Sequence, residues 1–142
     1  MLSIFKDTAI TIEALKAADA ETLTGAGVDM KGYESVIFIV GALKGEALDF
    51  SIKAQQDTES DFSSDPQDLE GTLVAFSTTI PADGLTSLEI HNPQERYVRT
   101  LVIVPDATAA TPTFCLAIRF NAKVKPITNA GEIHSSPDEG TA

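Results

Sequence analysis

Ser35-Val-Ile-Phe-Ile-Val40, a run of apolar, mostly β-branched residues, is followed by Ala47-Leu-Asp-Phe-Ser-Ile-Lys-Ala-Gln55, which alternates without a break. In the second run Leu48, Phe50, Ile52 and Ala54 point one way, and Asp49, Ser51, Lys53 and Gln55 point the other. A period of two is the signature of a half-buried strand. The continuous first run predicts a strand covered on both faces. Leu43-Lys-Gly-Glu46 between them carries Gly45, which suits a tight hairpin turn.

Working outward, strand signals recur at short spacing. Thr72–Thr79 places Leu73 and Phe76 near a core, and Leu85–His91 places Leu88 and Ile90 there. Arg96–Val104 is rich in β-branched and aromatic residues and stops at Pro105. Thr113–Ala122 sets Phe114, Leu116, Ile118 and Phe120 on one face and Cys115, Ala117, Arg119 and Asn121 on the other. The links hold turn residues: Pro81–Gly84, His91–Pro93, Pro105–Asp106 and Ala110–Pro112. This spacing predicts an all-β, single-domain antiparallel β-sandwich or jelly roll. Val36, Phe38, Val40, Leu48, Phe50, Ile52, Tyr97, Leu101, Ile103, Leu116, Ile118 and Phe120 are its expected core. Truncation of Phe50 to alanine is expected to cost about 3–5 kcal/mol.

The ends differ from the middle. Thr8–Glu13 alternates weakly, as a first strand would, and Glu13–Glu21 suits a short helix or a loop. Thr128–Ala142 is polar, with little to bury, and is expected to be disordered alone in water. The expected organisation is therefore an N-terminal arm with a first strand (1–27), a sandwich domain (28–127) and a flexible polar tail (128–142). At 142 residues and 43% hydrophobic content the chain suits one core. It holds no apolar run long enough for a membrane span, and Met1–Asp7 has no signal-peptide pattern. A single cysteine, Cys115, forms no internal disulfide, so the fold must stand on its core.

Charge narrows the partners. Ten basic residues against twenty-one acidic give a net charge of −11, which opposes binding to nucleic acid or an anionic membrane. The acids cluster: Asp57, Glu59, Asp61, Asp65, Asp68 and Glu70 lie within fourteen residues that carry no base. Bases cluster further on, at Arg96, Arg99, Arg119, Lys123 and Lys125. Asp57, Glu59, Asp61 and Asp65 with Arg96, Arg99 and Arg119 are accordingly the candidate interaction residues, between copies or with a neighbour. A solvated acidic loop explains the same run.

No catalytic pattern emerges. His91 sits beside a turn and His134 in the tail, Cys115 lies inside an apolar strand, and GxSxG, HExxH, CxxC and P-loop patterns are all missing. The expectation is a protein that is no enzyme and needs no cofactor. Asp57–Asp68 spaces carboxylates as a calcium loop does. Its sixth position is Phe62, where a sharp turn wants glycine, and its twelfth is Asp68 rather than glutamate, so no tight calcium site is expected. Sugar-binding sandwiches present aromatic platforms, whereas Tyr33 and Tyr97 read as core-edge residues. A carbohydrate-binding or adhesion module remains the alternative.

The order of segments resembles a group of small tailed-phage head decoration, or capsid cement, proteins. Val28-Asp-Met-Lys-Gly-Tyr-Glu-Ser-Val-Ile-Phe-Ile-Val40 is similar to their opening strand. Ile52-Lys-Ala-Gln-Gln-Asp-Thr-Glu-Ser-Asp61, Arg96-Tyr-Val-Arg-Thr-Leu-Val-Ile103 and Phe114–Phe120 match later segments in order, so the resemblance spans residues 28–125. The chain departs from the pattern in lacking the hairpin tip Asp-Gly-Ser-Thr-Trp and in its longer, more acidic tail. The resemblance implies a virion protein on the outer surface of the capsid. Its implied partners are the major capsid protein and further copies of itself, as a dimer or trimer.

Overall fold

The computed structural model describes residues 7–16, 22–42, 50–76, 85–103 and 113–123, and the side chains at 14–16, 42, 50, 75–76 and 113 fall outside it. The described residues form ten strands: β1 (Ala9–Lys16), β2 (Leu23–Thr24), β3 (Val28–Asp29), β4 (Ser35–Ala42), β5 (Phe50–Asp57), β6 (Gln67–Asp68), β7 (Val74–Phe76), β8 (Leu85–His91), β9 (Tyr97–Ile103) and β10 (Thr113–Phe120). They form two antiparallel sheets packed face to face. The first runs β1-β10-β4-β8 and the second β2-β9-β5-β6, with β3 also on β9 and β7 also on β5.

β2 and β3 meet opposite halves of the same edge of β9, so they act as one interrupted strand. β6 and β7 do the same along β5. Counted this way, eight columns follow the orders 1-8-3-6 and 2-7-4-5, the double Greek-key arrangement of a jelly roll. Each interruption leaves a backbone N–H of the neighbouring strand without its ladder partner, and a side chain supplies the acceptor. Glu13 Oε1 accepts from Thr100 N–H at 3.2 Å. Thr72 Oγ1 accepts from Ala54 N–H at 3.1 Å.

The core lies between the sheets. From the first sheet come Val36, Phe38, Val40, Leu88, Ile90, Cys115 and Ala117, and from the second Val28, Ile52, Ala54, Val98 and Val102, joined by Met30. Val36, Phe38, Val40 and Ile52 lie where the alternation predicts, as do Leu88 and Ile90. Leu48 and Phe50 belong to the expected core, but their side chains fall outside the description. So do the turns expected at residues 43–46, 81–84, 105–106 and 110–112.

Two strands have the opposite phase. In β9 the fully buried residues are Val98, Thr100 and Val102, while Tyr97, Leu101 and Ile103 are only half-buried. In β10 Cys115 and Ala117 are fully buried, and Leu116, Ile118 and Phe120 face out of the sandwich. Volume explains the reversal in β10. Ala117 stands directly opposite Phe38 and Cys115 opposite Val40, so small residues of one strand make room for large ones of its neighbour. Filling both columns with large side chains would overpack the gap of about 10 Å between sheets. β4 is likewise buried on one face only, since Ile37 and Ile39 are half-buried on the outer side. Leu73 is 62% exposed rather than in the core, because it belongs to the loop between β6 and β7.

Candidate functional site

A cleft of about 400 Å³ opens at one end of the sandwich, lined by residues 30–34, 92–96 and Lys123. Its walls are corners of the jelly roll: the link from β3 to β4, the link from β8 to β9, and the end of β10. Backbone hydrogen bonds tie the three together. Met30 N–H donates to the Arg96 carbonyl at 2.8 Å, Asn92 N–H to Glu34 at 2.7 Å and Lys123 N–H to Gly32 at 2.9 Å. Gln56 reaches from β5 and accepts from the N–H groups of Gln94 and Glu95, at 3.0 and 3.2 Å. Asn92, at φ 48°, makes the turn that sends the chain from β8 to β9.

Arg96 is held by Asp29 through two hydrogen bonds, Nε at 2.9 Å and Nη2 at 2.7 Å, and its guanidinium lies over the Tyr97 ring at 5.0 Å. The fork-to-carboxylate geometry fixes the side chain as well as pairing the charge. The Arg96 hydrogen bonds hold Asp29 down to about 2. Arg119 points inward between the sheets. Its Nη1 donates to the Asp29 carbonyl at 2.7 Å and its guanidinium sits over Tyr33 at 4.9 Å. Tyr33 packs against the core, as a core-edge residue does. Lys31 and Lys123 add positive charge to the cleft, and Glu34 and Glu95 add negative charge.

The acidic run forms a separate feature. Arg99 lies over Phe62 at 4.3 Å and donates twice to Gln55 Oε1, at 3.1 and 2.9 Å. Phe62 is buried, at φ 56°, and folds the loop back over the outer side of the second sheet. Gly27 permits this, because a Cβ there would stand 2.3 Å from Phe62 Cε2. Thus phenylalanine itself adopts the left-handed backbone at the position where glycine was expected. Asp57 is buried too, and its Oδ1 accepts from the Glu59 N–H at 3.0 Å and the Thr58 hydroxyl at 3.3 Å. Burial pushes its pKa up, but backbone N–H groups from Glu59, Asp65, Thr58 and Ser64 outweigh that and hold it below the usual range. Asp61 accepts from the Ser63 hydroxyl and N–H, at 2.7 and 3.2 Å. Glu59, Asp61 and Asp65 face solvent. Among the described residues, no three His, Cys, Asp or Glu side chains gather as a metal site would require.

The structure therefore divides the candidate residues. Arg96 belongs to the cleft, Arg99 to the acidic loop of its own chain, and Arg119 to the interior. Sequence reasoning missed the role of Glu13, which is 3% exposed on a bulge in β1. Its carboxylate bridges the sheets, accepting from Gly27 N–H at 3.1 Å as well as from Thr100. Burial raises its pKa, and the hydrogen bonds from Thr100 and Gly27 with the charges of Arg99 and Arg119 pull it back only in part. One acid inside a weakly alternating segment was the available signal.

A second unforeseen cluster is Ser35, His91 and Glu89. Ser35 Oγ lies 2.8 Å from His91 Nδ1, and His91 Nε2 lies 3.0 Å from Glu89. The arrangement resembles a hydrolase triad in composition only. Ser35 is 1% exposed, and the Phe120 ring lies edge-on to His91 with centroids 6.0 Å apart, so no substrate carbonyl reaches the hydroxyl. Cys115 is equally shielded. Burial pushes its thiol up to about 11, although a 3.4 Å contact with the Thr100 hydroxyl opposes the shift.

No family profile matches the chain, and no curated protein matches it. Among solved structures it is similar to the SPBc2 prophage-derived protein YomS, with 7% identity, a TM-score of 0.48, and coverage of 84% of this chain and 97% of that one.

Proposed function

We propose that the protein is a decoration subunit bound to the outside of a tailed-phage capsid, where it stabilises the shell against the pressure of packaged DNA. The observation that carries this reading is the resemblance over residues 28–125. Its segments form β3, β4, β5, β9 and β10, and the Asp29–Arg96 pair joins two of them at the cleft. A subunit of this kind works through a rigid scaffold that presents fixed corners and loops. The cleft, tied by backbone hydrogen bonds, and the acidic loop, folded over its own Phe62, meet that need. A net charge of −11 favours the outer surface, since an inner position would set the chain against phosphate. Such a subunit stabilises a shell in proportion to its preference for the assembled lattice over free capsomers.

The test uses capsids made without the protein, mixed with full-length chain or with a form lacking residues 128–142, and heated while DNA release is followed. The full-length chain is expected to bind and to raise the release temperature. The shortened form is expected to bind more weakly while its own melting temperature hardly changes, because the tail carries few apolar residues. If neither form binds and the release temperature stays put, the cement reading is lost. Glycan binding at the cleft would then favour an adhesion module.

A further inference from the structure

The seat of β1 runs against the hydrophobic effect. Its inward side chains are Ala9, Thr11 and Glu13, whereas Ile10 and Ile12 are 44% and 61% exposed. β4, β5, β8, β9 and β10 each turn apolar side chains into the core, and no described side chain of β1 joins that cluster. A slip of one residue would reverse the phase of the whole strand. What holds β1 in place is polar. It is an edge strand, paired with β10 alone, and a bulge at Glu13 already breaks that ladder. Glu13 makes the ties to the second sheet. Its carbonyl accepts from Ala26 N–H at 3.0 Å, and its carboxylate accepts from Gly27 and Thr100. Gly25 leaves room for this, since a Cβ there would strike the carboxylate. Beside these ties, Thr11 Oγ1 on β1 and Arg119 Nε on β10 are buried without a hydrogen-bond partner among the described residues. Each orphaned group weakens the closed arrangement.

We propose that β1 is a releasable strap, which opens while the rest of the sandwich stays folded, and that ionisation of Glu13 governs the opening. Among the described residues, the charged and titratable groups around Glu13 are Arg99 of β9 and Arg119 and Cys115 of β10. The link from β2 to β3 brings it backbone N–H groups. Burial outweighs the two arginines and the hydrogen bonds, so Glu13 holds its proton more tightly when seated than when released into water. The closed strap is therefore most stable with Glu13 protonated. Opening grows as pH rises from 4.5 through the folded value of Glu13, and then levels off. Each pH unit of that window multiplies the open fraction about tenfold. Release bares the edge of β10 and the flank of Cys115, which stands opposite Ala14 in the ladder. The inference goes beyond the decoration role and does not rest on it.

Hydrogen exchange on the full chain, resolved by peptide and corrected for intrinsic rates from about pH 4.5 to 8, tests it by comparing β1 with β4. β4 is paired on both sides, with β10 and β8. Exchange in β1 is expected to be at least about tenfold faster, with a shallow dependence on urea, because a local opening exposes little surface. That opening should grow with pH. Glu13→Gln should abolish the growth, and Thr11→Val, which removes the orphaned hydroxyl, should reduce the opening about fivefold or more. At fixed pH a thiol reagent should reach Cys115 through the same opening, with the same shallow urea dependence. If β1 exchanges only together with β4, at the same urea slope, the inference is overturned. An opening indifferent to pH overturns it, and so does a pH dependence that survives Glu13→Gln. A Glu13→Gln chain that fails to fold overturns it as well, by showing that the closed seat needs the charge.

Discussion

Glu13 and Asp29 are both carboxylates bonded to backbone and flanked by arginine, yet their pKa values move in opposite directions. Burial dominates at Glu13 and raises it. At Asp29 the Arg96 hydrogen bonds dominate and lower it to about 2. Their contributions to stability therefore run in opposite senses with pH. A raised folded-state pKa means that Glu13 favours folding most when protonated. Its share of stability grows as pH falls through its folded value toward the ordinary 4.5, and is lost as pH rises again. Replacing Glu13 with glutamine should flatten that part of the urea-midpoint profile between mildly acidic and neutral pH. It should cost little, about 1 kcal/mol or less, since the amide oxygen can accept from both Gly27 and Thr100 as Oε1 does, and only the longer contact of Oε2 with Gly27 N–H is lost. Asp29 contributes stability above its unfolded value near 3.8, lost as pH falls toward 2. Arg96→Ala should thus lower the melting temperature at neutral pH and leave it unchanged in strong acid. Thermal scans at the two extremes check the sign.

Which face of each strand points inward can be tested strand by strand. Phe38 is fully buried in β4, and Phe38→Ala should cost about 3–5 kcal/mol. Leu116, half-buried on the outer side of β10, should lose less on truncation to alanine, about 2 kcal/mol, because part of it stays in solvent. Equal losses in denaturant titrations would show that the outer face is covered in the monomer. Gly27→Ala sets a side chain at φ 91° and drives it into Phe62. The left-handed strain alone is about 1–2 kcal/mol, and displacing the aromatic ring adds to it. The same loop explains the expected indifference to calcium. Asp57 turns its carboxylate inward onto backbone N–H groups, so calorimetric titration should find no submillimolar binding. Such binding, abolished by Asp61→Ala, would overturn this.

At the scale of the whole molecule, a net charge of −11 on a chain of 142 residues is a source of self-repulsion in the compact state. Moderate sodium chloride should therefore raise the melting temperature, even though it weakens the exposed Lys53–Asp68 pair at 2.7 Å. A fall in melting temperature with salt would mean that attractive pairs, not repulsion, dominate the field. The same charge bears on assembly: added salt should strengthen association through an apolar face and weaken association through ion pairs.

The sequence alone determined the architecture and the positions of the strongest strands. Period-two alternation and turn residues are local properties, and β4, β5, β8, β9 and β10 all fall where those marks stand. It also determined that Cys115 is packed and that Glu59, Asp61 and Asp65 lie in a loop, whereas Asp57 ends β5 and is buried. It did not determine which face of β9 and β10 turns inward. β9 carries apolar residues on both sides, β10 sets its larger ones on the outer side, and alternation is blind to sign. Only the tertiary structure settled this, because the space between two sheets is shared. Phe38 and Val40 claim it from β4, and Ala117 and Cys115 yield it from β10. Arg119 goes inside for a similar reason: its partners, the Asp29 carbonyl and the Tyr33 ring, lie about ninety residues away in sequence and come together only once the jelly roll has closed. Glu13 is the sharpest case. A charge in a weak strand looks like an exposed edge until the break between β2 and β3 leaves Thr100 N–H needing an acceptor inside.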